Sequence, residues 1–126
     1  MKKIIFTPNA PAPIGPYNQA ILVGNTLYTS GQIALHPDTM ELVLDSIAAE
    51  TQQVMENMKA VLTAANFTFE QVVKSTIFIT DMNDFAAINT VYANYFNEKT
   101  APARETVQVA ALPKGVHIEI SMIAVQ

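Results

Sequence analysis

The chain has 126 residues, half of them hydrophobic, and a formal net charge of -4. This length supplies one hydrophobic core, so we expect a single domain spanning residues 1–126. The basic residues are few and dispersed, which disfavours nucleic-acid binding, and the absence of cysteine excludes disulfides, thiol catalysis and thiolate metal sites.

The N-terminus begins like a signal peptide, with Lys2 and Lys3 ahead of a short apolar run. Thr7, Pro8 and Asn9 end that run too early for an export signal. No later stretch approaches the roughly 20 apolar residues that span a bilayer. We therefore expect a cytoplasmic protein that does not bind membranes.

Four prolines and Gly15 make residues 7–16 a loop without regular hydrogen bonding. Strand-forming residues follow at Tyr17–Val23 and Thr26–Ala34. The Gly24-Asn25 pair between them is typical of a tight turn. The sequence therefore predicts a β-hairpin here.

After a loop at Leu35–Leu44, Asp45 or Ser46 can cap a helix. Apolar residues recur at helical spacing over Ile47–Ala65, and Asn66 is a plausible stop. A strand is predicted at Val72–Thr80. A second helix follows Asp81-Met82-Asn83-Asp84, because apolar side chains then recur on one stripe: Phe85, Ile88, Val91, Tyr92, Tyr95 and Phe96.

Two further strands are predicted, at Thr106–Ala111 and His117–Val125. Together the elements indicate an α+β fold, a sheet with two helices on one face. The last strand carries apolar residues on both sides, so its second face needs a cover, and we infer a homo-oligomer. Glu119 lies on that second face and is expected near a subunit boundary, where a carboxylate can be perturbed.

Arg104 is the only arginine of the chain and stands just ahead of a predicted strand. A guanidinium grips a carboxylate through two parallel hydrogen bonds, so Arg104 is the first candidate anchor for an anionic ligand.

Five segments, in order along nearly the whole chain, resemble the RidA (YjgF) family. They are Ala10–Tyr17, Ser30–Ile33, Asp81–Phe85, Pro102–Arg104 and Ile118–Ile120. The resemblance implies a chorismate-mutase-like mixed sheet, and a homotrimer whose sheets form a central β-barrel with three clefts between subunits. It also implies a cofactor-free deaminase that hydrolyses reactive enamines and imines, such as 2-aminoacrylate and 2-iminobutyrate, to 2-oxo acids and ammonia.

By this resemblance Arg104 holds the substrate carboxylate, and Glu119 handles the attacking water or a substrate proton. Tyr17 would orient water or cap the ligand, although it can equally be a packing residue. Ser30 and Gly31 offer a hydroxyl and an approachable backbone amide, or form a simple turn. Asn89 matches a position near the cleft, or faces solvent.

Two departures from the family pattern affect the expected cleft. Thr106 stands where many members have a cysteine two residues after the arginine, which excludes thiol modification but not hydrolysis. The loop Ala34–Met40 lacks the usual proline and glycine, so its turn geometry differs. Substrate specificity is therefore less determined than the reaction class.

Other kinds of site have weaker support. His117 and Glu119 share a strand face but lack a visible third metal ligand, so we expect no metal. Ser30 has neither a nucleophile-elbow motif nor a histidine at a recognisable spacing, and no glycine-rich phosphate loop indicates a nucleotide cofactor. One alternative stays open: the cleft binds a 2-oxo acid or a related metabolite without turnover, and the protein regulates amino-acid metabolism.

Overall fold

The computed structural model describes Met1–Gln126. Six strands and two α-helices make up the fold: β1 (Lys2–Ile5), β2 (Ala20–Val23), β3 (Thr26–Thr29), α1 (Ile47–Ala64), β4 (Val72–Ile79), α2 (Phe85–Tyr92), β5 (Ala103–Gln108) and β6 (Ile118–Val125). The strands form one mixed sheet in the order β1-β2-β3-β6-β4-β5, in which only β4 and β5 run parallel. Neither helix has the length and apolar character that crossing a bilayer requires.

The predicted hairpin is confirmed, with β2 and β3 pairing from Ala20 opposite Thr29 to Val23 opposite Thr26. Gly24 in the turn has φ 59°, a left-handed conformation that glycine adopts without steric cost. Both strands are shorter than predicted, because their ladder ends at the pair Ala20 and Thr29. Beyond it the Ser30 amide donates to the Gln19 carbonyl, and Gln32 forms an isolated bridge to Ile120 of β6. Strand β1, which lay outside the predicted strands, pairs with β2 along the sheet edge.

Helix α1 begins and ends where its sequence indicates. Ser46 is the N-cap, and its side chain accepts a hydrogen bond from the Ala49 amide. Asn66 ends the helix with φ 63°, and the Phe67 amide donates back to the Leu62 carbonyl. The apolar stripe is buried, and each large side chain on it contributes about 1.5–3 kcal/mol of burial free energy; it includes Val54, Met55, Met58, Val61 and Leu62.

The predicted strand Thr106–Ala111 is wrong at both ends, because β5 runs Ala103–Gln108. Its start is fixed by parallel pairing with β4, in which Ala103 lies opposite Lys74 and Gln108 opposite Ile79. Pro102, which has no amide proton to donate, directly precedes the strand. Arg104 therefore lies within β5 and not ahead of it.

The two faces of the sheet differ in cover. Ile118, Ile120, Met122 and Ala124 of β6 are buried in the core together with residues of α1 and α2, so both helices pack on one face. Glu119, Ser121 and Ile123 project from the opposite face and stay partly exposed. We call this second side the open face; Tyr28, paired with Ile123, lies on it and is exposed. The predicted α+β arrangement with helices on one face is confirmed.

Candidate active site

A cavity of about 510 Å³ lies where the proline-rich loop, the segment after β3 and the turn before β6 meet. Four of the predicted site residues line it: Tyr17, Ser30, Gly31 and Glu119. Arg104 and Asn89 do not.

Glu119 is the only acidic residue lining the cavity. It projects from β6 on the open face and is half-buried, and desolvation raises the pKa of its carboxyl above the ordinary value for glutamate. No ion pair or hydrogen bond within the chain engages the carboxylate. A carboxylate in this state is available to exchange a proton with water or with a ligand.

Gly31 gives the Glu119 side chain its space. A Cβ at position 31 would lie 2.6 Å from Oε2 and 2.9 Å from Cγ of Glu119, closer than real Cβ atoms approach their neighbours. Glycine is therefore required to seat the carboxylate here. The sequence suggests an approachable amide at this position; the geometry adds a steric role to it.

The two hydroxyls of the cavity already have partners within the chain. The Tyr17 hydroxyl accepts a hydrogen bond of 3.3 Å from the Ile14 amide, which fixes the ring beside the loop while the residue stays about half exposed. The Ser30 hydroxyl donates to the Asn18 carbonyl at 2.5 Å. Ser30 is thus left with acceptor capacity toward a ligand.

Sequence reasoning missed Gln19, which holds the proline-rich loop in place as a cavity wall. Its buried side-chain amide accepts from the Thr7 amide at 2.7 Å and donates to the carbonyls of Thr7 at 3.0 Å and Pro11 at 2.9 Å. The available signal was indirect: a loop with four prolines leaves backbone groups without ladder partners, so a nearby polar side chain must satisfy them.

Sequence reasoning also missed Glu50, which tethers the start of β6. This carboxylate of α1 is 1% exposed, and its Oε2 accepts from the amides of His117 at 2.7 Å and Ile118 at 3.2 Å. Its Oε1 lies 2.8 Å from Nδ1 of His117. The tether acts one residue before Glu119 and so fixes the part of the strand that carries it.

Arg104 lies on the helix-covered side of the sheet, where α2 holds it. Its Nη1 donates to Oδ1 of Asn89 at 2.6 Å, and its guanidinium carbon lies 5.0 Å from the Tyr92 ring centroid and 5.7 Å from that of Phe85. Aromatic faces attract a guanidinium electrostatically. Asn89 therefore positions Arg104, and the remaining guanidinium N–H groups have no carboxylate partner in the chain.

Within one chain Arg104 and Glu119 are on opposite faces of the sheet. Arg104 lies opposite Ser75 on β4, whereas Glu119 lies opposite Phe78. Side chains three residues apart on a strand point to opposite sides. The two predicted catalytic residues are thus not brought together by the fold of a single copy.

Known proteins of similar sequence and structure match nearly the whole chain. Residues 7–126 match the family model described as endoribonuclease L-PSP. A RutC family protein of Pyrococcus horikoshii is 54% identical, covering 98% of each chain, and the 2-iminobutanoate/2-iminopropanoate deaminase of Bos taurus is 48% identical, covering 100% of this chain and 91% of the bovine one. The crystal structure of E. coli TdcF with bound serine has a TM-score of 0.92 and 46% identity, covering 98% of each chain.

Proposed function

This chain belongs to the YjgF/RidA family, whose model bears the description endoribonuclease L-PSP, and we propose that it hydrolyses reactive 2-imines and 2-enamines to 2-oxo acids and ammonia. The bovine relative is named a 2-iminobutanoate/2-iminopropanoate deaminase. The observation that carries the proposal is the half-buried, unpaired carboxylate of Glu119 in a cavity with two hydroxyls.

In the proposed reaction Glu119 accepts a proton from a water molecule while the water oxygen bonds to the imine carbon. Glu119 passes this proton to the nitrogen. The proton of the newly added hydroxyl group then also moves to the nitrogen as the C–N bond breaks, which releases ammonia and a 2-oxo acid. Proton transfer by a positioned side chain contributes about 10²–10⁴-fold to such a rate. Tyr17 and Ser30 would orient the water and the departing nitrogen.

Arg104 would hold the substrate carboxylate, with Asn89 fixing its orientation. Because Arg104 and Glu119 of one chain lie on opposite faces, we propose that the complete site forms between copies, Arg104 coming from one and Glu119 from the next. A homotrimer whose open faces form a central barrel would provide three such sites. The serine bound to E. coli TdcF has an α-carboxylate, which is the kind of group that Arg104 would bind.

The proposal is tested by coupling a serine or threonine dehydratase to this protein and following 2-oxo acid formation while semicarbazide competes for the imine. Arg104→Ala should lower kcat/KM about 100-fold or more, since two hydrogen bonds to a charged group contribute roughly 3 kcal/mol. Arg104→Lys keeps the positive charge but cannot form two parallel hydrogen bonds to a carboxylate. It should therefore regain only part of the lost kcat/KM.

Glu119→Gln should leave 2-oxobutyrate binding intact and suppress turnover. Full activity in this variant would show that the proposed proton transfer is wrong. Binding of 2-oxobutyrate by a wild-type protein without any acceleration would instead favour the metabolite-binding regulator. Sedimentation of the wild-type protein as a monomer would contradict the intersubunit site.

A further inference from the structure

Two charged residues line the cavity, the acidic Glu119 and the basic Lys114. Arg104 lies outside the cavity and on the other side of the sheet. Lys114 is thus the only cation that a chain contributes to its own cavity. When Glu119 is ionised it repels an anionic substrate, and only Lys114 offsets that repulsion within the same chain.

Lys114 is not neutralised by any partner. The two ion pairs of the chain join Lys74 to Glu105 and His117 to Glu50. Lys114 itself is exposed, in the turn between Pro113 and Gly115. No carboxylate of the chain therefore competes with an incoming ligand for this ammonium group.

The backbone at Lys114 is strained. Its φ of 58° is left-handed, a conformation that costs a residue with a Cβ about 1–2 kcal/mol and that glycine or asparagine adopts more readily. Backbone hydrogen bonds from Gly115 to Leu112 and from Val116 to Pro113 hold the turn in this shape. Strain of this kind concentrates at functional positions, and here it places a lysine on the cavity wall.

We propose that Lys114 attracts the substrate carboxylate to the cavity during association. This inference rests on the proposed deaminase function and assigns a recruiting residue to the same site. An ammonium on a flexible stem is a point charge without a fixed geometry, which suits long-range attraction better than a bidentate grip. Arg104 of the neighbouring copy then holds the carboxylate in the bound state.

The test compares Lys114→Met, which removes the charge and keeps the unbranched stem, with Lys114→Arg and with Lys59→Met as a control on α1. At low ionic strength Lys114→Met should lower kcat/KM about tenfold, the lower end of electrostatic steering, with kcat unchanged. The deficit should shrink at high ionic strength, because salt screens exposed charges. Lys114→Arg and Lys59→Met should behave as wild type.

An unchanged kcat/KM in Lys114→Met, or a deficit independent of salt, would overturn the inference. Thermal unfolding of each variant shows whether a lower kcat/KM comes from misfolding. Lys114→Arg, which keeps the charge, must have the activity of the wild type. A binding arm separates this inference from the deaminase proposal: Lys114→Met should weaken binding of 2-oxobutyrate but not of its uncharged amide, whether or not the protein turns over an imine. Equal weakening of acid and amide binding by Lys114→Met would also contradict the proposed role of Lys114.

Discussion

Position 31 offers a way to move the Glu119 carboxylate without changing it chemically. A methyl group at Gly31 would overlap the end of the Glu119 side chain, which is flexible, so the carboxylate must shift while the backbone need not. We expect Gly31→Ala to fold normally and to lose about 100-fold in kcat, as a misplacement of about 1 Å can cause. Steady-state kinetics with a melting curve would check this.

The double variant Gly31→Ala/Glu119→Gln is the control for that experiment. If the methyl group acts only by displacing Glu119, the double variant should be no less active than Glu119→Gln alone. Additive losses would show that Gly31 contributes separately, for instance through its amide.

The raised pKa of Glu119 has consequences of definite sign. As the proposed base, Glu119 must be ionised, so kcat/KM should fall as pH drops through its raised pKa, above the roughly 4.3 of an ordinary glutamate. A carboxyl whose pKa is raised by folding adds stability below its unfolded pKa and loses that stability as pH rises through the folded value. Glu119→Gln should therefore melt higher than wild type at neutral pH, and the difference should disappear in acid.

One buried carboxylate, Glu50, accepts hydrogen bonds from the backbone at the start of strand β6. Glu50→Ala would leave the amides of His117 and Ile118 without their acceptor and His117 without its partner. We expect a loss of about 3 kcal/mol in the free energy of unfolding, since hydrogen bonds to charged groups contribute roughly 1.5–3 kcal/mol each. Denaturant unfolding would measure it, with Glu56→Ala, an exposed acid of the same helix, as the comparison; equal effects of the two substitutions would contradict the tether.

The elements that sequence predicted well are those whose determinants are local. Ser46 caps the amide three residues on, Asn66 ends α1 beside it, and Gly24 turns between adjacent strands. The start of β5 was missed because it depends on pairing with β4, about 30 residues earlier. Glu50 was missed for the same reason, because it satisfies backbone groups 67 and 68 residues away and nothing in its own segment marks it. Gln19 was missed although its partners lie only 8 to 12 residues away, because the unpaired backbone groups of the proline-rich loop do not specify which side chain satisfies them.

At the scale of the whole molecule, the sequence identified Arg104 and Glu119 as candidate site residues. It did not predict that they lie on opposite faces of the sheet. Alternation along β6 placed Glu119 on the face away from Ile118 and Ile120, and the sheet bears this out. The side of Arg104 depended on the register of β5 against β4, which periodicity in a six-residue strand does not fix. The exposed apolar residues of the open face, Tyr28 among them, support a partner there.

The placement of Arg104 and Glu119 on opposite faces has a genetic consequence. If the site forms between copies, as proposed, a gene encoding Arg104→Ala and a gene encoding Glu119→Gln would each direct an inactive protein. Mixed oligomers of the two products made in one cell would then pair an intact arginine with an intact glutamate at about one site in four, if copies mix at random. The two null alleles should thus complement in one cell. Strict failure to complement, with mixed oligomers present, would mean that each chain builds its own site.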